Sequence, residues 1–172
     1  MKRFFALLLT LIMVFCVAAC DKGGDKDNGG NNNDGTKPKA AVSFYVNHGS
    51  VKIELGGDAK AVITALGTPK STSPMGNCGG QGTLTKYTYA SIEIYVLASG
   101  DRETIDQITL LDDSIKTPEN ITIGSTKDEV IEACGNAYSK MSDTSITYTS
   151  GDKNLMIQLR DGAVVGIDYR IL

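Results

Sequence analysis

The sequence predicts an α+β domain of two tandem β-α-β-β-β units, with short helices packed on antiparallel sheet. Three observations predict it. Residues 55–67, L-G-G-D-A-K-A-V-I-T-A-L-G, return as residues 123–135, I-G-S-T-K-D-E-V-I-E-A-C-G, a self-similarity at an offset of roughly 68 residues. Gly56 then falls on Gly124, Val62 on Val130, Ile63 on Ile131, Ala65 on Ala133 and Gly67 on Gly135. Each copy is preceded by an alternating apolar segment (Val51, Ile53 and Leu55; Ile121 and Ile123) and followed by about three segments with the period of two expected of half-buried strands.

In the first unit, residues 42–46 are rich in strand formers. Asn47-His48-Gly49 supplies a turn before Val51, Ile53 and Leu55 resume the alternation, which reads as a hairpin. Asp58 then caps a helix whose apolar face is Ala59, Val62, Ile63 and Leu66, and Gly67 and Pro69 end it. About nine residues do not hold a helix alone in water, so this one must rest on a sheet. Residues 70–82 are rich in Ser, Gly and Asn and read as a long loop carrying Cys78. Tyr87 and Tyr89 lead through Ala90-Ser91 into Ile92, Ile94 and Val96, a second hairpin, and residues 105–111 add a strand after Ser99-Gly100-Asp101.

The second unit starts after Thr117-Pro118. Ser125 or Thr126 caps its helix, with Asp128 and Glu129 three residues on, respectively, in box-like pairs. Val130, Ile131 and Cys134 form the buried stripe and Gly135 the stop. Tyr148, then Leu155, Ile157 and Leu159, then Ala163, Val165, Ile167, Tyr169 and Ile171 give a three-strand meander, and Asp161-Gly162 is its hairpin turn.

The N-terminus carries the targeting signal. Lys2 and Arg3 precede an apolar run at residues 4–17, shorter than the roughly 20 residues of a membrane span. The run closes on Val17-Ala18-Ala19-Cys20, which resembles the bacterial lipobox. The expected organisation is therefore a signal peptide at residues 1–19 and a lipidated Cys20 with a Gly/Asn/Asp tether through residue 40. The α+β domain follows at residues 41–172, its units spanning about 41–113 and 114–172. Two acyl chains on one Cys suffice for stable membrane anchoring, which places the domain on the extracytoplasmic face of the cell membrane. The tether has almost no apolar residue to offset the entropy of ordering.

Removing Lys2 and Arg3 with the leader leaves 20 acidic against 15 basic residues. No basic stripe appears, which argues against nucleic acid as a partner. Nor does the chain show a phosphate loop, nucleophile elbow or paired His, so neither catalysis nor a cofactor is expected. Asp25-Lys26-Asp27-Asn28-Gly29 fails as a calcium loop because Gly29 stands where an oxygen ligand is needed and Thr36 where the loop needs Glu. His48 reads as a polar turn residue, and Asp112-Asp113 as a solvated strand end. With Cys16 discarded and Cys20 acylated, Cys78 and Cys134 remain. Export permits a bond between them worth about 4 kcal/mol in the chain-entropy model; the alternative makes Cys134 a small buried hydrophobe. Two Cys and one distant His do not make a zinc site.

The helix signature of residues 123–135, followed by a meander ending D-G-A-V-V-G-I-D-Y, resembles the repeat of small envelope lipoproteins of the BamE (SmpA/OmlA) type and of the β-lactamase inhibitor proteins. C-G-G-Q-G-T-L-T-K-Y-T-Y at residues 78–89 and D-D-S-I-K-T-P-E-N-I-T-I-G at residues 112–124 resemble uncharacterised lipoproteins of clostridial-type Firmicutes. The resemblance implies a helix-on-sheet repeat and a non-catalytic binding or scaffolding lipoprotein of the cell envelope, meeting a protein or cell-wall partner. The other function it implies is inhibition of an envelope hydrolase or penicillin-recognising enzyme. Tyr87, Tyr89, Tyr95 and Tyr148 are the candidate partner-binding side chains, each offering a large apolar area with a polar handle. Mass spectrometry of the mature protein should find a chain beginning at a diacylglyceryl-modified Cys20. An uncleaved, unmodified N-terminus would overturn the anchoring.

Overall fold

Ten strands and two helices follow one another in a computed structural model that describes residues 42–76 and 81–172. The leader, Cys20, the tether and Cys78 lie outside the described residues. β1 (Tyr45–His48) and β2 (Val51–Glu54) form a two-stranded sheet, with His48 opposite Val51 beside the Gly49-Ser50 turn. Next come α1 (Ala59–Leu66), β3 (Ser71–Met75), β4 (Thr83–Thr88), β5 (Ile92–Ser99) and β6 (Arg102–Leu110). α2 (Lys127–Cys134) precedes β7 (Lys140–Met141), β8 (Ser145–Ser150), β9 (Lys153–Arg160) and β10 (Ala163–Ile171). The last eight strands make one antiparallel sheet in the order β3-β4-β5-β6-β10-β9-β8-β7, so β6 and β10 meet at its middle. Mostly antiparallel sheet with two short helices is an α+β fold.

Each helix has eight residues, too few to persist unsupported, and each is fastened at both ends. At the N-terminus of α1, Asp58 Oδ1 accepts the Lys60 amide at 2.9 Å, satisfying one of the donors a helix start leaves open. Just upstream, Gly56 N donates to Ile105 O at 2.7 Å and Ile105 N to Gly57 O at 3.0 Å, tying the helix entry to β6. α2 begins with a capping box, Glu129 N donating to Thr126 Oγ1 at 3.2 Å and Thr126 N to Glu129 Oε2 at 2.7 Å. Its entry is tied to β10 by the same pair of bonds, Gly124 N to Val164 O and Val164 N to Ser125 O, both 2.8 Å.

At the C-termini the positive φ of Gly67 (75°) and Gly135 (76°) lets each amide turn back to the helix, onto Ile63 O and Ile131 O. Tyrosine then takes the glycine carbonyl. Tyr148 OH donates to Gly135 O at 2.9 Å, and Tyr89 OH to Gly67 O at 3.4 Å. The bulges correspond as well. β6 carries an extra residue, Asp106, between its pairings with Val96 and Tyr95, and β10 carries Val165 between its pairings with Leu159 and Gln158.

The helix-facing side of the sheet supplies Ile92, Ile94, Val96, Ile105, Ile108, Ile146, Tyr148, Leu155, Ile157, Ile167 and Tyr169 to one core. Ala59, Val130 and Cys134 of the helices and Val46, Ile53 and Leu55 of the N-terminal hairpin complete it. The Asp161-Gly162 turn has φ of 52° and 78°, the two positive values of the tight hairpin turn that its sequence predicts.

Three expectations are corrected. Residues 70–82 are not a continuous loop, because Ser71–Met75 pairs along the whole of its length with β4. Lacking apolar alternation, S-T-S-P-M gives no periodic signal, yet an edge strand needs only backbone pairing on one side, and Pro74 is tolerated at an edge. Ile121 and Ile123 are not in a strand. A turn through Asn120, with φ of 68°, returns the Asn120 amide to Thr117 O, and the backbone bond from Thr117 N to Ile121 O buries Ile121 as a loop plug. The β-α-β-β-β count therefore changes: four strands follow each helix once β3 and β7 are included, and no strand immediately precedes α2.

Tyr148→Phe leaves a helix-end carbonyl without its donor and should cost about 1–2 kcal/mol in urea denaturation. Tyr169 is the control. Its hydroxyl is buried with no hydrogen-bond partner, so Tyr169→Phe should leave stability unchanged or raise it. Equal losses in the two variants would show that packing, and not the Gly135 clamp, accounts for the effect.

Candidate functional site

Successive strand side chains point to opposite faces, so the residues between the core positions make up a second, open face of the large sheet. In β5 these are Glu93, Tyr95 and Leu97; in β4, Leu84, Lys86 and Thr88; in β10, Gly166, Asp168 and Arg170. Cross-strand register places them in rows. One runs Lys86, Tyr95, Gln107, Arg170 and Asn154; the next runs Thr88, Glu93, Thr109, Asp168 and Met156.

Hydrogen bonds lock these rows together. Glu93 Oε1 accepts from Lys86 Nζ at 2.9 Å and Thr88 Oγ1 at 3.1 Å, and its Oε2 accepts from Tyr95 OH at 3.1 Å. Across the β6–β10 junction Thr109 Oγ1 donates to Asp168 Oδ1 at 2.7 Å, while Gln158 Nε2 donates to Asp168 Oδ2 at 2.9 Å. Gln107 Nε2 donates to Thr109 Oγ1 at 3.1 Å, extending the chain of bonds along β6. The side chains of Lys86 and Glu93 are 27% and 16% exposed, so the pair is shielded well beyond an ordinary surface ion pair.

The electrostatics follow from that shielding. Burial, the hydrogen bond to Glu93 and the Glu93 and Asp168 charges push the Tyr95 phenol up to about 12, with Arg170 opposing. For Glu93, burial pulls upward, but hydrogen bonds from Lys86, Tyr95 and Thr88 and the Lys86 charge outweigh it and lower the carboxyl below its ordinary 4.5. Burial raises Asp106, the bulged residue of β6, and the Arg170 charge offsets part of that. At one corner of the same face the register aligns Met75, Leu84 and Leu97 into an apolar patch.

The four candidate tyrosines separate. Tyr89 and Tyr148 are core residues whose hydroxyls hold the helix ends, so they present no contact surface. Tyr87 is half-buried on the helix side, packed against the core. Tyr95 alone of the four lies on the open face. The sequence reading missed Lys86, Glu93, Asp168 and Arg170, although their alternation with core residues was visible; which strands lie side by side was not. Cys134 is buried on α2, and His48 stands apart from the open-face rows at the end of β1. Asp112 accepts from Ser114 within its own turn. Among the described residues no three His, Cys, Asp or Glu side chains group as a metal site, and no helix is long and apolar enough to cross a membrane.

No family model and no curated protein matches the chain. Among solved structures it is similar to an extracellular protein containing a SCP domain from Bacillus anthracis str. Ames, at 17% identity and a TM-score of 0.44. The match covers 78% of this chain and 49% of that one, so the chain spans about half the length of that protein.

Glu93 makes a pH prediction with a definite sign. Because its folded pKa lies below the unfolded value, its stabilisation is complete above about pH 4.5 and is lost as pH falls through the folded pKa. Melting of wild type against Glu93→Gln should show the largest difference near neutrality, narrowing below pH 4.5. A difference that stays constant down to pH 2 would show that the Glu93 charge is not what holds the row.

Proposed function

We propose that this chain is a membrane-anchored extracytoplasmic lipoprotein, a non-catalytic binding or scaffolding module of the cell envelope, built from a duplicated helix-on-sheet unit. The leader ending Val17-Ala18-Ala19-Cys20 and the polar tether support the anchoring. Three features support the duplication: the matched bonds at Gly56 and Gly124, the tyrosine clamps on Gly67 and Gly135, and the corresponding bulges at Asp106 and Val165. On the same reading Cys78 and Cys134 are the pair that an oxidising exterior would join.

One observation carries the binding role: a hydrogen-bonded polar row, largely shielded and fixed across β4, β5, β6, β10 and β9, on the side of the sheet opposite the core. Polar groups held in place by one another beside an apolar corner, with Tyr95 among them, are preorganised and so lose little freedom when a partner docks. Residues 41–172, immobilised and incubated with envelope extract, should capture a partner whose retention is lost with Tyr95→Ala or Lys86→Ala and kept with Lys60→Ala on α1. Capture indifferent to the open-face substitutions would remove the docking role. If the captured partner is an envelope hydrolase or penicillin-recognising enzyme whose activity falls on binding, inhibition replaces scaffolding as the function.

A further inference from the structure

We draw no further inference here: the strongest candidate, the acidic cleft where Glu119 of the segment before α2 meets Glu129 and Glu132 of that helix, is a carboxylate cluster with no second observation pointing to a ligand, since Glu129 already serves the Thr126 cap and Glu119 Oε2 is buried from solvent.

Discussion

The structure depends on holding two helices that have no stability of their own. Eight residues close too few backbone bonds to offset nucleation, so α1 and α2 exist because the sheet grips them at both ends. At the entry, a paired set of backbone bonds from the last strand of each meander fixes the residues before the cap. At the exit, a tyrosine hydroxyl takes the carbonyl of the capping glycine. A helix so fastened has no freedom to slide along the sheet, which is why a few apolar side chains, Ala59 from α1 with Val130 and Cys134 from α2, suffice to complete the core above the strands. The bulges at Asp106 and Val165 belong to the same device. Each follows the strand residue that bonds the helix entry, and the added twist re-aims the strand there.

How much of this was legible follows from where each signal resides. Both helices could be read nearly to the residue, because Asp58, Thr126, Gly67 and Gly135 mark helix ends by their own local chemistry. The meander strands were legible from alternation, and the Asp161-Gly162 turn from its demand for positive φ. Ser71–Met75 was not, since an edge strand takes its pairing from its neighbour and needs no apolar face of its own. Ile121 misled for the opposite reason: two alternating apolar residues look like a strand even when Pro118 and Asn120 turn them into a plug.

The site was less legible than the fold. Tyr89 and Tyr148 read as amphipathic contact residues, and their polar handles are in use inside the domain. Nothing local distinguishes them from Tyr95. What separates them is parity: Tyr89 and Tyr148 share a face with Ile92 and Leu155, whereas Tyr95 alternates with Ile94 and Val96. The row of Lys86, Glu93, Thr109 and Asp168 is a property of strand order. β10 lies next to β6 and not beside β3, and no periodicity in the chain encodes that choice.

The junction of β6 with β10 shows the two faces of the sheet under different constraints. On the proposal that the halves are copies, the shared bulge sets Ile108 against Ile167, Thr109 against Asp168 and Leu110 against Tyr169. The core positions stay large and apolar, because both must fill the space beneath a helix. The alternate positions differ in kind: Gln107 corresponds to Gly166, Thr109 to Asp168 and Leu111 to Arg170. A duplicated sheet whose hidden side is constrained by packing can change its uncovered side freely, since a substitution there disturbs no core contact. On that proposal the two halves share one way of folding while presenting different chemistry, as in the middle of the sheet, where Asp168 accepts from Thr109 and Gln158 and the Arg170 charge acts on Asp106 and Tyr95.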